Sequence, residues 1–223
     1  MQNELYVDSI TKEYNNKIVL KNIFLKVNSG DIIGLLGRNG CGKSTLLKII
    51  FGTVEAESKF IRVNGTVYNN AYKNNRIKLL PQESFIPKHL KVKYVLKLYC
   101  KNIEIEKIKN DEIIKKIYNT KIKDISGGEL RYLEIMLLMY LDTNFLLLDE
   151  PFNAVSPIIV EEMKKKIIEY SKEKGIILTD HDYRNVLSVS NKIYIMKNGS
   201  IKELKNSEEL IEYGYIPNKQ TST

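Results

Sequence analysis

Strand-like apolar runs separated by helical stretches predict an α/β fold built on a mostly parallel sheet. Ile32, Ile33, Leu35 and Leu36 form a continuous apolar strand of the kind buried on both faces of such a sheet. The pattern returns at Phe145 to Leu148, Ile176 to Leu178 and Lys192 to Met196, with helical stretches between. Residues from about Glu83 to Thr143 behave differently. There Tyr94, Val95 and Leu98, then Ile105, Ile108, Ile113, Ile114 and Ile117, recur at helical spacing among lysines and acids, which predicts an inserted helical lobe.

The other elements follow in order. Leu5 and Val7, then Ile18, Leu20, Ile23, Leu25 and Val27, recur at near period two, the pattern of half-buried strands, and Ser29-Gly30-Asp31 ends that segment. After Leu36 a glycine-rich turn leads into a helix from about Lys43 to Phe51, which Gly52 is placed to end. A chain of 223 residues makes one domain with one inserted lobe. We divide it into a core with a β-subdomain (1–82 and 144–205), the helical lobe (about 83–143) and a tail (206–223) whose last residues, Asn218 to Thr223, are polar and expected to fray.

A hydrophobic share of 43% beside a charged share of 28% argues against wholesale disorder. The net charge of +8 fits a solvated lysine-rich exterior, an anionic membrane surface or a nucleic-acid surface, in that order of preference. Lysines are spread along the chain. The run Lys164 to Lys166 follows Glu161 and Glu162, so pairing at i,i+4 is expected to offset it. Cys41 and Cys100 make no disulfide framework and no CxxC pair, which suits a reducing compartment. No basic start followed by an apolar core is visible at the N-terminus, and the richest apolar stretches fall well short of the ~20 residues that cross a bilayer. The expectation is a cytoplasmic chain whose membrane role, if it has one, comes through a partner.

The motif with the clearest chemistry is Gly37-Arg38-Asn39-Gly40-Cys41-Gly42-Lys43-Ser44, which fits G-x-x-x-x-G-K-[ST] and lies between a predicted strand and a predicted helix. Loop and helix-terminal amides there point at an anion, Lys43 reaches the β- and γ-phosphates, and the Ser44 hydroxyl ligates magnesium. Thr45 follows in the same turn. Cys41 is either a small filler or a thiol activated by its neighbours, the filler being favoured. Phe145 to Glu150 supplies the second half of such a site. A buried strand delivers Asp149 rigidly close to the magnesium, and Glu150 next to it can act as general base or position the attacking water.

With Ile125-Ser126-Gly127-Gly128-Glu129 added, nearly the whole chain, from about Leu5 to Lys205, resembles the nucleotide-binding domain of ABC transporters. This segment is similar to the family signature LSGGQ and stands at the expected place between the phosphate loop and the acidic strand. Its glycines let backbone amides approach a phosphate closely, at the positive end of the following helix. Ser126 and Glu129 also spell a capping box before Leu130, Leu133, Leu137 and Leu141, and both roles can hold together. The resemblance implies a P-loop NTPase (RecA-like) core with an N-terminal antiparallel β-subdomain and an inserted α-helical subdomain. It implies a homodimer or heterodimer of cassettes sandwiching two ATP with Mg2+, each signature covering the nucleotide of the opposite subunit.

Other positions take their roles from the same resemblance. Tyr14 matches the aromatic that stacks on adenine, and Gln82, in Leu80-Pro81-Gln82, the glutamine that contacts magnesium and the attacking water. His181, after Thr179-Asp180, matches the histidine that contacts the γ-phosphate, whereas His89 matches nothing. Ser156 stands where the family's dimer-interface aspartate usually lies, which puts communication between the two ATP sites in question. Hydrolysis would drive transmembrane permease subunits on separate chains, docked on the segment around Gln82 and the helical lobe, with the cassette peripheral on the inner face of the cell membrane. The rival class is a soluble cassette ATPase acting on ribosomes or nucleic acid, but such relatives usually carry two cassettes or long coiled-coil insertions, and neither is here. No nucleic-acid partner is therefore expected. The run from His181 to Gly199 is faintly similar to cassettes of lipid or polysaccharide exporters, too slightly to assign a cargo.

Overall fold

The computed structural model of the chain describes residues 3–206 and 209–215, so the end expected to fray lies outside the described residues. Two long strands open it, β1 (Glu4–Tyr14) and β2 (Lys17–Asn28), paired antiparallel. Asn15 and Asn16 connect them at φ 49° and 61°, the doubly left-handed turn that matches strand twist in a two-residue hairpin. Ile18 departs from expectation, being 54% exposed. The period-two pattern is interrupted because bulges reset it: pairing shifts between Lys12, opposite Leu20, and Glu13, opposite Ile18, and again between Val7 and Ile10, with Ser9 and Asn22 at φ 55° and 49°.

The chain then forms β3 (Ile32–Gly37), α1 (Lys43–Phe51), β4 (Ser58–Val63), the short β5 (Thr66–Val67) and β6 (Ile77–Leu80). As expected, Gly52 ends α1 in the left-handed conformation, at φ 100°. The helical lobe consists of α2 (Val92–Tyr99), α3 (Asn102–Lys109) and α4 (Glu112–Ile117), followed by α5 (Gly127–Tyr140), which Leu141 caps rather than continues. Then come β7 (Phe145–Asp149), α6 (Pro157–Ser171), β8 (Gly175–Thr179), α7 (Tyr183–Val189), β9 (Lys192–Lys197), β10 (Ser200–Leu204) and α8 (Glu209–Glu212).

Two sheets result. One is antiparallel, in the order β2-β1-β4-β5; the other runs β10-β9-β3-β8-β7-β6, parallel except for the edge strand β10. The central strands are buried on both faces, and their side chains divide by period two. Ile33, Leu35, Leu147 and Ile177 join the antiparallel sheet and α1 in one apolar layer, while Leu36, Leu146, Leu148, Ile176 and Leu178 join the remaining helices in another. Burying a strand this way stabilises by about 1.5–3 kcal/mol per large aliphatic side chain, so the carboxyl ends of β3, β7 and β8 stand on a rigid base.

The lysine run on α6 is offset as expected, though at i,i+3 spacing: Lys164 pairs with Glu161 at 2.8 Å, Lys165 with Glu162 at 2.6 Å and Lys166 with Glu169 at 3.3 Å.

Candidate functional site

The carboxyl ends of the parallel strands converge on one cleft of about 530 Å³, within the range of small-ligand sites. Asn39, Gly40, Gly42, Lys43, Ser44 and Thr45 form its floor. Gly42 caps α1 at φ 113°, and a Cβ there would meet Leu20 Cδ2 at 2.9 Å, so both backbone and space require glycine. No side chain caps this helix, which leaves its first amides free to bind an anion. The buried Lys43 folds back on its own loop, Nζ donating to the Gly37 carbonyl at 2.7 Å and the Arg38 carbonyl at 3.4 Å.

Gly37, Arg38 and Cys41 do not line this cleft. Arg38 and Cys41 face a separate cavity behind the loop, walled also by Met196 and Tyr215. The Cys41 sulfur sits where a Cβ on Gly37 would come within 2.7 Å of it, as the filler role expects.

Beside Lys43, two hydroxyls meet one carboxylate oxygen: Ser44 Oγ donates to Asp149 Oδ1 at 3.0 Å and Thr179 Oγ1 donates to the same atom at 2.9 Å. Asp149 ends β7 almost fully buried. A hydroxyl and a carboxylate are hard oxygen donors, too few to enclose a metal alone but sufficient for magnesium completed by phosphate oxygens and water.

Glu150 follows with φ 51°, a conformation uncommon for a residue with a side chain. It is held there by its amide, which donates to the Thr179 carbonyl and to the Thr179 hydroxyl oxygen, each at 3.1 Å. The strained turn aims the carboxylate into the cleft, where Oε2 lies 2.9 Å from His181 Nε2 and 3.3 Å from Asn153 Nδ2. His181 is carried by a turn pinned through Asp180, whose carboxylate accepts from the amides of Phe152 (3.1 Å) and Asp182 (3.0 Å). Burial raises the pKa of Asp180 against the pull of those amides and of His181. Gln82 is exposed two residues past β6 and lines the cleft from the other side. Tyr14 stands 46% exposed at the mouth, its ring 4.9 Å from Lys12 Nζ. The base-stacking role proposed below for Tyr14 predicts that Tyr14→Ala raises the KM for ATP about tenfold with little change in kcat, measured by phosphate release, because stacking of a base on an aromatic contributes about 1–3 kcal/mol.

The Ser126–Glu129 segment forms the anticipated capping box, with Glu129 N bonded to Ser126 Oγ at 3.2 Å and Ser126 N to Glu129 Oε2 at 2.8 Å. It does not line the phosphate cleft. Ser126 and Gly127 are exposed, Gly128 is buried against Val155 and Ile159, and Gly127 borders a second cavity shared with Gln82 and Glu150.

One residue of this region was not anticipated from sequence. Arg131, on the first turns of α5, is buried and bonds four groups: the Pro81 carbonyl (2.6 Å), the Asp149 carbonyl (2.7 Å), the Glu150 carbonyl (3.2 Å) and Glu134 Oε2 (3.2 Å). Burial lowers its pKa, opposed by Glu134 and then by Asp149 and Glu150. It ties the strand ends that carry Gln82, Asp149 and Glu150 to the helix that follows Ser126. Its three carbonyl partners lie 18 to 50 residues away, so apart from Glu134 one turn on, no local pattern marks it.

A phosphate-binding loop at a helix N-terminus, a carboxylate and hydroxyl placed for a metal, and a strained carboxylate beside a histidine define a P-loop ATPase. The chain belongs to the ABC transporter family, whose model matches residues 20–153. It is similar to the lipopolysaccharide export system ATP-binding protein LptB of Haemophilus influenzae, 33% identical across an alignment that covers 93% of this chain and 92% of that protein. The LptB of Escherichia coli is 32% identical, covering 95% and 94%. Among solved structures, an ATP-binding subunit of an ABC transporter superposes with a TM-score of 0.81 at 20% identity, covering 96% of this chain and 95% of that one. The chain is thus an ATP-binding and ATP-hydrolysing subunit of an ABC transporter.

Proposed function

We propose that two copies of this cassette, or one with a homologous partner, close head to tail over two MgATP and drive separate membrane permease subunits. The observation that supports this is the division of the site: one cleft gathers the phosphate-loop, carboxylate and histidine groups, while the exposed Ser126-Gly127 turn lies outside it. In this reading the amides of Gly40, Gly42, Lys43, Ser44 and Thr45 hold the triphosphate and Tyr14 stacks on the base. Ser44 and Asp149 would hold Mg2+, with Gln82 approaching it, and the metal would neutralise charge on the transferring phosphoryl group. Glu150 takes a proton from the attacking water and His181 fixes the carboxylate, while Gly127 and Gly128 of the mate cap the γ-phosphate.

The permease would seat beside Gln82 and Ser84, where a cavity of about 260 Å³ reaches Arg131 and Glu134, so that phosphate-side movements are felt by the membrane partner. We take residues 1–82 and 144–205 with the lobe between them as one ATPase unit. No helix among the described residues is long and apolar enough to cross a membrane; the proposed permease contact would hold the subunit on the inner face. The similarity to LptB supports export of a lipid-linked saccharide or similar amphiphile as the class of work.

Gly127 separates this reading from a merely structural capping box. A Cβ there meets nothing within 4 Å, so Gly127→Asp is tolerated by the isolated subunit, and an acidic residue even suits a helix N-terminus. Facing a partner's triphosphate it is repulsive. The variant is expected to bind ATP normally yet to lose both MgATP-dependent dimerisation, seen by light scattering, and at least about 100-fold of ATPase activity. Unchanged turnover would leave only the cap.

A further inference from the structure

We propose that the helical lobe of this cassette docks directly on an anionic lipid bilayer, through a lysine ladder and an adjoining apolar ridge, in addition to any contact with a permease. The charge is unevenly distributed. Residues 86–123 hold eleven lysines and no arginine against four acids, so this sixth of the chain carries nearly all of the net +8. The fold concentrates it further. Segments 88–93 and 118–123 run side by side, with Lys123 N bonded to the Lys88 carbonyl (3.0 Å), Ile122 N to that of Leu90 (2.8 Å) and Val92 N to that of Thr120 (3.0 Å). Lys91 and Lys121 stand opposite each other in this ladder, with Lys88, Lys93 and Lys123 beside them.

Like charges opposed across strands are destabilising by themselves, so the arrangement calls for an external anion. The lysines of α6 are each matched to a glutamate, but among the described residues only one lysine of this lobe has an ion pair, Lys109 with Glu106 at 3.6 Å. The acids around the ladder leave it in excess positive charge: exposed Asp124, next to Lys123, makes no ion pair among the described residues and offsets at most one of the five lysines, Asp111 is occupied in capping α4 and accepting from the Tyr132 hydroxyl, and Glu104 in accepting from the Lys101 amide.

The apolar half of the surface lies alongside. Lys91, Tyr94 and Leu98 share one stripe of α2 by their three- and four-residue spacing, opposite the buried Val92, Val95 and Leu96. Tyr94 is 48% exposed with Lys93 Nζ 5.4 Å from its ring, Leu98 is 68% exposed, and Ile103 at the start of α3 is 70% exposed. Lysines beside a tyrosine and two bare aliphatic side chains match the interfacial zone of a bilayer, where headgroups take the charge and the acyl boundary takes the apolar tips. A nucleic-acid surface would favour arginine forks and stacking aromatics rather than leucine and isoleucine.

The test uses the full chain without a permease, sedimented with vesicles of phosphatidylcholine alone or with about a third phosphatidylglycerol. Binding to the anionic vesicles only is expected, falling steeply between about 0.05 and 0.5 M salt as the Debye length shrinks. Each lysine near an anionic surface contributes about fivefold, so the combined K88E, K121E and K123E variant is expected to lose at least tenfold in binding. L98S with I103S loses severalfold, and K164E with K165E changes nothing; ATP hydrolysis by all of them stays at the parent level and reports correct folding. Equal binding to both vesicle types, undiminished binding of the ladder variant, or preference for an oligonucleotide over anionic vesicles would each overturn the lipid contact. Failure here with normal ATPase activity leaves the transporter reading standing, because catalysis uses none of these residues.

Discussion

Glu150→Gln is expected to bind MgATP as tightly as the parent chain, hydrolyse it at least about 100-fold more slowly and accumulate as an ATP-bound dimer. The amide keeps the shape of the carboxylate and its contact with Asn153, but it accepts no proton from water. Positioned acid–base groups typically contribute 10²- to 10⁴-fold, so the lower bound is conservative. Binding is spared because the groups proposed to grip phosphate, Lys43 with the loop amides, belong to another strand end and make no bond to residue 150. Lys43→Ala is expected to do the reverse, weakening ATP binding itself, so that neither hydrolysis nor dimer appears at ATP concentrations that saturate the parent. Binding by a fluorescent nucleotide, turnover by phosphate release and size by light scattering distinguish the two. Hydrolysis by Glu150→Gln at the parent rate would move the base elsewhere, with His181 the next group to examine, since it already lies 2.9 Å from the same carboxylate oxygen.

Much of this site was legible in sequence because its parts are local. The phosphate loop, the acidic strand end and the capping box each occupy fewer than ten consecutive residues, and the chemistry fixes their spacing. The parallel strands were legible for a related reason, since burial on both faces leaves an unbroken apolar run. What escaped has a common origin in long-range pairing. Strand β6, four residues long with Lys78 inside it, is a strand only because it lies beside β7. Bulges changed which residues of β1 and β2 face inward, and the one between Leu20 and Ile18, where two residues of β2 oppose one step of β1, leaves Ile18 pointing outward. The lysine ladder is similar: along the chain its members are scattered, and only the pairing of 88–93 with 118–123 gathers them.

Long-range pairing also places Arg131, which joins α5 to the ends of β6 and β7. Arg131→Ala is expected to destabilise the fold by about 3–5 kcal/mol, the usual effect of leaving a buried charge without its partner, here Glu134 at 1% exposure. Three carbonyls lose their donor at the same time, those of Pro81, Asp149 and Glu150. A second variant separates folding from function. Arg131→Met with Glu134→Gln removes both charges at similar volume, which limits the electrostatic penalty, since replacing a whole buried pair is often close to neutral. It leaves the strand ends untied, however, and those ends carry Gln82, Asp149 and Glu150. Denaturant unfolding should find the double variant much closer to the parent than Arg131→Ala, with kcat still reduced and ATP affinity little changed. A double variant with full kcat would mean that β6 and β7 alone hold the catalytic carboxylates in register, leaving Arg131 a purely structural residue.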